Sequence, residues 1–149
     1  MKFSNTVTTF ATPERIWAIW TDVDNWSVWD TEVCDSYLES PFKLNAVGKL
    51  TPKTGTTSKF TISQFSPGKS YTFTIQLPFC KLNVYRYLNI HAGSTSFTHE
   101  VSFKGALAFL FGWFLGKKFK KVLPRVMENI REIAEAESIR QGYLEKTAD

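Results

Sequence analysis

The last third of the chain, from Lys104 to Ala136, has the pattern of one long helix. Its apolar residues recur every three or four positions, and its first turns are apolar on every side. The sequence before it, from Thr31 to Phe103, is almost entirely strand-like. A single sheet followed by one long helix can bury its apolar face by curling around that helix. Where side chains do not fill the space between them, this arrangement encloses a pocket. The sequence therefore predicts a container for an apolar molecule.

The order of elements predicts an antiparallel sheet. A polar, β-branched strand covers residues 2–10, and Thr12 followed by Pro13 begins a helix that runs to about Thr21. A second short helical turn follows, through Trp26, and six strands separated by short turns come next. Strands and helices do not alternate, which excludes a parallel sheet. We expect an α+β fold in which a curved antiparallel sheet of about seven strands wraps around a long C-terminal helix, with two short helices between strands 1 and 2.

The long helix contains residues that interrupt helices. Gly112, Gly116 and Pro124 lie inside the pattern, and a proline cannot donate a hydrogen bond to the carbonyl one turn earlier. We expect a kink at Pro124, or two helices that meet near Gly116. The sequence becomes polar after Ser138, where the helix is expected to fray. The chain is thus interpreted as a single domain, residues 1–138, with a polar C-terminal tail, residues 139–149.

Composition and charge limit the classes of partner. The chain has 149 residues, enough for one domain with its own core, and 15% of them are aromatic. The net charge of +4 comes largely from a lysine cluster at positions 117, 118, 120 and 121. Such a cluster is usually a solvated helix face, and contact with an anionic surface is the alternative. No nucleic-acid recognition motif accompanies it, so we expect no nucleic-acid partner.

The sequence gives no sign of a metal or a cofactor. Cys34 and Cys80 lack metal-ligand spacing and are predicted to be reduced core residues. The first residues have no apolar signal segment. The longest apolar run is far shorter than the roughly 20 residues that span a bilayer. We expect a soluble, cytoplasmic protein without a cofactor.

His99 is the first candidate for chemistry inside the pocket. It shares strand parity with Phe97, Val101 and Phe103, which directs it inward. There it could donate a hydrogen bond to a ligand carbonyl or act as a general base. The alternative is a buried histidine with a purely structural role.

Arg86 is the second candidate. It shares parity with Val84 and Leu88, and its planar guanidinium suits a ligand carboxylate or enolate. The alternative is a twist or bulge that turns Arg86 to solvent and brings Tyr85 and Tyr87 inward. Asp22 and Asp30 are interpreted as caps of helical turns. The residues predicted to line the pocket are Trp29, Phe60, Ile62, Tyr71, Phe73, Ile75, Arg86, Leu88, Phe97, His99, Val101, Phe111, Leu115 and Val122.

The segment from Phe109 to Lys121 has more apolar surface than one buried helix face requires. Something is therefore expected to cover its first turns. The candidates are the sheet rim, the loop over residues 41–47, a second subunit in a homodimer, or a membrane surface contacted with the help of the lysine cluster.

Four segments together resemble one known superfamily. They are the helix start at residues 11–17, the aspartate–tryptophan segment at residues 22–30, the hairpin at residues 93–99, and the closing helix at residues 123–135. In this order they resemble the SRPBCC superfamily, also called START-like or birch-pollen-allergen-like, and its polyketide cyclase/dehydrase branch. The resemblance covers residues 1–138. It implies the helix-grip fold and a hydrophobic cavity for lipids, sterols, polyketides or plant hormones, but not one activity.

Three functional hypotheses follow. The first is a carrier or sensor that binds a hydrophobic small molecule without catalysis. The second is an aromatase/cyclase-type enzyme in which His99 and Arg86 steer an enolate. The third is a membrane-surface or partner-binding module that uses the segment from Phe109 to Lys121.

Overall fold

A computed structural model describes residues 1–148 and shows seven strands and three α-helices within them. The strands are β1 (Lys2–Thr9), β2 (Val33–Leu38), β3 (Val47–Pro52), β4 (Ser58–Ser66), β5 (Ser70–Leu77), β6 (Cys80–His91) and β7 (Ser94–Lys104). The helices are α1 (Pro13–Thr21), α2 (Trp26–Trp29) and α3 (Ala108–Thr147), with a single 3-10 turn at Val23–Asn25 before α2.

The seven strands form one antiparallel sheet in the order β1-β7-β6-β5-β4-β3-β2. Strands β2 to β7 form a meander of neighbouring hairpins, and β1 returns to pair with β7. Helix α3 packs across the inner face of the sheet, and α1 and α2 support it between β1 and β2. The predicted fold class is confirmed.

Local signals explain the start of α1. The Thr12 hydroxyl accepts a hydrogen bond from the backbone N–H of Arg15 at 3.3 Å, and Pro13 occupies the first helical position. Trp20 and Trp26 are buried beneath the helix pair, and the Trp26 indole N–H donates to the Trp20 carbonyl at 2.9 Å. This hydrogen bond joins α2 to α1, and the Trp26 ring packs on Phe60 and Phe73 of the sheet.

Helix α3 is continuous, so the predicted break near Gly116 is wrong. At Gly112 and Gly116 an added Cβ would overlap Met1 and the Phe3 ring, respectively. Both glycines therefore let α3 approach β1 closely instead of ending the helix. Pro124 lies within α3, on its exposed side. The helix also continues beyond Ser138 to Thr147, where we expected fraying.

The two cysteines differ in environment. Cys80 is buried, as predicted, whereas Cys34 is exposed, which corrects the expectation that it lies in the core. The β2–β3 register shifts between Val33 and Asp35. This irregularity changes the alternation of inward and outward side chains at Cys34.

None of the helices between Met1 and Ala148 is both long enough and apolar enough to cross a membrane.

Candidate functional site

A cavity of about 270 Å³ lies between the inner face of the sheet and the first half of α3. Its walls are mainly apolar. The sheet contributes Val33, Leu50, Pro52, Phe73, Ile75, Leu77, Leu82, Val84 and Val101, and α3 contributes Leu115, Phe119, Val122, Leu123 and Val126. Charged or ionisable side chains reach it at only a few positions, namely Asp30, Glu32, Arg86, His99 and Lys118.

Arg86 is buried in this cavity, with 3% of its surface exposed. Its Nη1 donates a hydrogen bond to the Tyr71 hydroxyl at 2.6 Å. The guanidinium carbon lies 4.8, 5.0 and 5.1 Å from the ring centroids of Trp26, Trp29 and Phe73, distances at which a cation is attracted to an aromatic face. The alternative in which Arg86 turns to solvent is therefore wrong.

The positive charge of Arg86 is not balanced by a paired carboxylate. No ion pair among residues 1–148 includes Arg86, and its Nε is buried without a hydrogen-bond partner. An arginine that is buried without a carboxylate is unusual, because desolvating a charge is expensive. The aromatic rings and the Tyr71 hydroxyl offset this in part and leave the guanidinium able to bind an anion.

His99 faces Arg86 from the neighbouring strand, where the two residues are directly paired in the β6–β7 register. It is 1% exposed, lies between the Trp20 and Trp29 rings, and its Nε2 has no hydrogen-bond partner in the described chain. Burial holds the pKa of His99 well below its usual range, and the charge of Arg86 lowers it further. The imidazole is therefore neutral at pH 7.

Asp30 lies at the end of α2 and borders the same cavity. Its carboxylate accepts the backbone N–H of Glu32 at 3.0 Å, beyond the end of α2, so it holds the turn after the helix and does not cap a helical turn as expected. The Asp22 side chain makes no capping hydrogen bond either. Burial raises the pKa of Asp30, while that hydrogen bond and the charge of Arg86 oppose the increase. Interpreting Asp30 only as a cap missed its position at the cavity. The signal was its place directly after Trp29.

An ion pair lies at the solvent-facing rim of the cavity. The Lys118 ammonium on α3 is 3.0 Å from the Glu32 carboxylate, which precedes β2. Both side chains border the cavity and remain partly exposed. An exposed pair of this kind contributes little to stability, so it can open without a large loss of free energy.

The predicted pocket residues separate into two groups. Phe73, Ile75, Arg86, His99, Val101, Leu115 and Val122 border the cavity. The others do not border it. Trp29, Phe60, Ile62, Tyr71 and Phe97 are buried in the core, and Leu88 and Phe111 pack partly buried against it.

Contacts between aromatic rings explain this separation. Trp26 stacks on Phe60 at 5.4 Å, and the Trp20 ring lies 6.1 Å from both Tyr71 and Phe97. These rings fill the inner face on the α1 side, and the open space remains toward the β5–β6 turn. Strand parity alone does not predict which inward side chains meet one another.

Several residues that border the cavity were not predicted. Leu82 and Val84 share parity with Arg86 and were within reach of the same argument. Others lie near the short turns of β2 to β4, where the sequence pattern does not indicate orientation, or on α3, where the apolar stripe indicates the buried side but not which residues border open space: Val33, Leu50, Pro52, Thr54, Ser58, Lys118, Phe119, Leu123 and Val126. In the described part of the chain no three His, Cys, Asp or Glu side chains are placed to hold a metal ion.

Comparison with known families agrees with this geometry. The sequence matches, over residues 1–135, the family described as polyketide cyclase / dehydrase and lipid transport. The chain belongs to this family. No curated protein matches the sequence of this cyclase/dehydrase family member.

Solved structures with the same fold include the following three. A START superfamily protein from Mycobacterium smegmatis is 15% identical, with a TM-score of 0.65, over 91% of this chain and 97% of that one. The di-domain ARO/CYC StfQ of the steffimycin biosynthetic pathway is 12% identical, with a TM-score of 0.70, over 92% of this chain and 51% of that one. Ara h 8.0201 is 13% identical, with a TM-score of 0.66, over 91% of this chain and 98% of that one. At such identities the likeness is one of fold.

Proposed function

We propose that this family member binds a hydrophobic small molecule that carries a carboxylate or enolate oxygen, and that it acts as a carrier or sensor. The observation that supports this most directly is the guanidinium of Arg86, which is buried in an apolar cavity without a carboxylate partner. An anionic oxygen at this position would supply the missing counter-charge and accept charge-assisted hydrogen bonds.

The walls and size of the cavity favour a compact apolar body. Leucine, valine and phenylalanine side chains surround it, so that burying a ring or short chain there is favourable. Its volume of about 270 Å³ is slightly below the range of roughly 300–1,000 Å³ typical of small-molecule sites. A single ring system or a short acyl chain fits this volume better than a sterol.

The polar end of the cavity adds selectivity. Neutral His99 can donate or accept one hydrogen bond through Nε2, next to Arg86. A ligand that carries its charged oxygen beside a carbonyl or hydroxyl group would therefore engage both residues. A purely apolar ligand would leave both unpaired, which opposes its binding.

The test is native mass spectrometry of the gently purified protein, followed by solvent extraction. We expect a co-purified acidic molecule in the wild type, and at least about tenfold lower occupancy in Arg86→Met, because hydrogen bonds to charged groups are worth about 1.5–3 kcal/mol. Lys81→Met is the matched control, since it removes a positive charge from the outer face of the same strand. Replacing a buried charge with an apolar side chain is often neutral for stability, so Arg86→Met should stay folded.

If no molecule co-purifies, titration with 2-naphthoic acid and 2-naphthalenemethanol tests the same idea. The acid should bind the wild type at least about tenfold more tightly than the alcohol, and Arg86→Met should lose that preference. A neutral co-purified ligand, or equal affinity for acid and alcohol, would contradict the proposal.

A second candidate is an aromatase/cyclase-type enzyme. It is favoured by the positions of Arg86 and His99, which lie opposite each other in the β6–β7 register. The Nε2 atom of His99 has no hydrogen-bond partner in the described chain. In such an enzyme Arg86 would stabilise an enolate oxygen while His99 accepted a proton. Incubation with the extracted ligand separates the two functions, because a carrier returns the same molecule whereas an enzyme converts it. Chromatographic retention is measured together with mass, since ring closure without loss of water leaves the mass unchanged.

A further inference from the structure

Five large apolar side chains are exposed together at one end of the molecule. Phe79 is 77% exposed, Phe109 68%, Phe114 64% and Trp113 57%, and Leu110 is also exposed. We call these residues the apolar tip. Single exposed apolar residues are common on protein surfaces, but a cluster of aromatic rings is typical of an interaction surface.

The apolar tip joins two elements. The backbone N–H of Leu107, just before α3, donates to the carbonyl of Phe79 at 3.2 Å, so the β5–β6 turn lies beside the start of the helix. Phe79 has a φ of 52°, in the left-handed region that favours glycine or asparagine. A phenylalanine in this conformation is strained, and its exposed ring gains no burial in return.

The apolar tip continues directly into the lysine cluster. Successive residues of a helix are rotated by about 100° around its axis. One arc of about 140° around α3 therefore contains Phe109, Leu110, Trp113, Phe114, Lys117, Lys120 and Lys121. The Lys117 ammonium lies 4.9 Å from the centroid of the Trp113 ring. The opposite side of the same turns carries Leu115, Phe119 and Val122, which border the cavity.

Two of the covers expected for this surface are not present. Residues 41–47 pack elsewhere, since the Phe42 ring contacts Trp17, Phe65 and Tyr71. The sheet rim leaves the rings of the apolar tip open to solvent. The surface therefore has no partner within the described part of the chain.

We propose that the apolar tip and the lysine cluster dock the protein onto an anionic lipid bilayer. The rings would enter the boundary between headgroups and acyl chains, and the lysines would contact the anionic headgroups. No acidic residue occurs between Gly105 and Met127, and within residues 1–148 only Lys118 of the lysine cluster forms an ion pair, with Glu32, so Lys117, Lys120 and Lys121 leave a positive charge beside the apolar tip. A two-fold dimer through the same surface would bring lysines against lysines, which disfavours a second copy as the occupant.

Co-sedimentation with vesicles tests the proposal. The wild type should bind vesicles of phosphatidylcholine mixed with phosphatidylserine more tightly than vesicles of phosphatidylcholine alone. Two double variants should each lower the partitioning of the protein onto the mixed vesicles at least about tenfold. They are Lys117→Glu with Lys120→Glu, and Phe109→Ser with Trp113→Ser. Lys118 is left unchanged, because it pairs with Glu32 at the cavity rim.

Each pair has a matched control elsewhere on the molecule. Lys59→Glu with Lys81→Glu makes the same change of charge on the outer face of the sheet. Ile139→Ser with Tyr143→Ser removes exposed apolar side chains from the other end of α3. Both controls should retain vesicle binding, although a small loss from the lower net charge is expected in the first.

Fluorescence gives a second, independent readout. Trp20, Trp26 and Trp29 are buried and Trp17 is partly buried, whereas Trp113 is exposed. Brominated lipids should therefore quench a component of the emission that is absent in Trp113→Phe, a variant that should still bind.

Absence of vesicle binding, or equal loss in the lysine pair and its control, would overturn the proposal. If the wild type forms a dimer and does not bind vesicles, and the double variant Phe109→Ser with Trp113→Ser abolishes that dimer, the surface would be assigned to a second copy.

Discussion

Arg86 and His99 are each buried with one nitrogen that has no hydrogen-bond partner in the described chain. Each unsatisfied buried polar group lowers the stability of the folded state by about 1–3 kcal/mol. The fold tolerates this cost at two residues that lie opposite each other on neighbouring strands. Arg86 also carries a charge whose cost is offset only in part by aromatic rings and the Tyr71 hydroxyl. A pair of costly groups beside a cavity is typical of a binding or catalytic site rather than of a structural core.

The pH dependence of stability should report the burial of His99. Because burial lowers the pKa of His99 in the folded state, the unfolded chain binds its proton more readily below pH 6.5. The free energy of unfolding should therefore be highest above that pH and fall as the pH decreases toward 5, by up to about 1.4 kcal/mol per pH unit. Denaturant unfolding at a series of pH values measures this slope, and His99→Gln should remove it.

His91→Gln is the control for that experiment, because His91 is exposed. Asp30 acts in the opposite direction at lower pH. Its raised pKa means that the folded state binds the proton more readily, so its contribution to stability grows as the pH falls through that pKa. An unchanged slope in His99→Gln between pH 7 and pH 5 would show that His99 is not the group responsible.

Single residues show where sequence reasoning works. Alternation along β6 and β7 placed Arg86 and His99 on the inner face, because a regular strand has a period of two. It failed at Cys34, where the β2–β3 register shifts. It also missed the position of Asp30 at the cavity, which depends on how α2 meets the sheet; the only local signal was its place directly after Trp29.

Helix α3 runs through Pro124 without ending there. The proline side chain is exposed, while Leu123, Val126 and Met127 are buried against the sheet. Packing of this apolar face holds the helix together even though proline has lost the hydrogen bond to the preceding turn.

Replacing Pro124 with alanine should stabilise the protein. Alanine restores a backbone N–H that can reach the Lys120 carbonyl, and its helix propensity is about 3 kcal/mol better than that of proline. We expect the free energy of unfolding to rise by roughly 1–3 kcal/mol, and Tm to rise by roughly 2–4 °C per kcal/mol. Thermal unfolding followed by circular dichroism measures the change. A lower Tm would mean that the sheet requires the backbone shape that Pro124 imposes.

Element boundaries were predicted best where turns are strongly marked. The turns at residues 66–69 and 92–94 contain glycine and separate strands with clear alternation, so the sequence itself marks where β4 and β6 end and where β5 and β7 begin. The end of α3 was missed for a physical reason. Residues 139–147 lack an apolar face but are rich in good helix formers, so propensity continues the helix where periodicity no longer indicates one.

At the scale of the whole molecule, the last turns of α3 are weakly attached to the rest. Arg15 connects α1 to them through Glu137 at 2.8 Å and Gln141 at 3.5 Å. Beyond these contacts, Ile139, Tyr143 and Leu144 are exposed. The helix continues past Ser138. The predicted boundary between domain and tail at that residue therefore stays a prediction, namely that the residues after it contribute little to stability.

A chain that ends at Ser138 should be nearly as stable as the full chain. The deleted residues bury little apolar surface, and an exposed ion pair or hydrogen bond contributes at most about 1 kcal/mol. Urea unfolding should show a loss below about 1 kcal/mol, with little change in the slope against denaturant, because that slope follows the surface exposed on unfolding. A loss of several kcal/mol would instead assign residues 139–149 to the domain.

The pairing of β1 with β7 imposes an order on folding. Strands β2 to β7 are joined by hairpins between sequence neighbours, whereas β1 must find a partner more than 80 residues away, from Thr9 to Thr95. During synthesis the first strand therefore leaves the ribosome long before its place in the sheet exists. Loop-closure entropy also delays such distant contacts relative to local ones. The hairpins should form first, and β1 and α3 should join them last, so the interior closes only after α3 has been made.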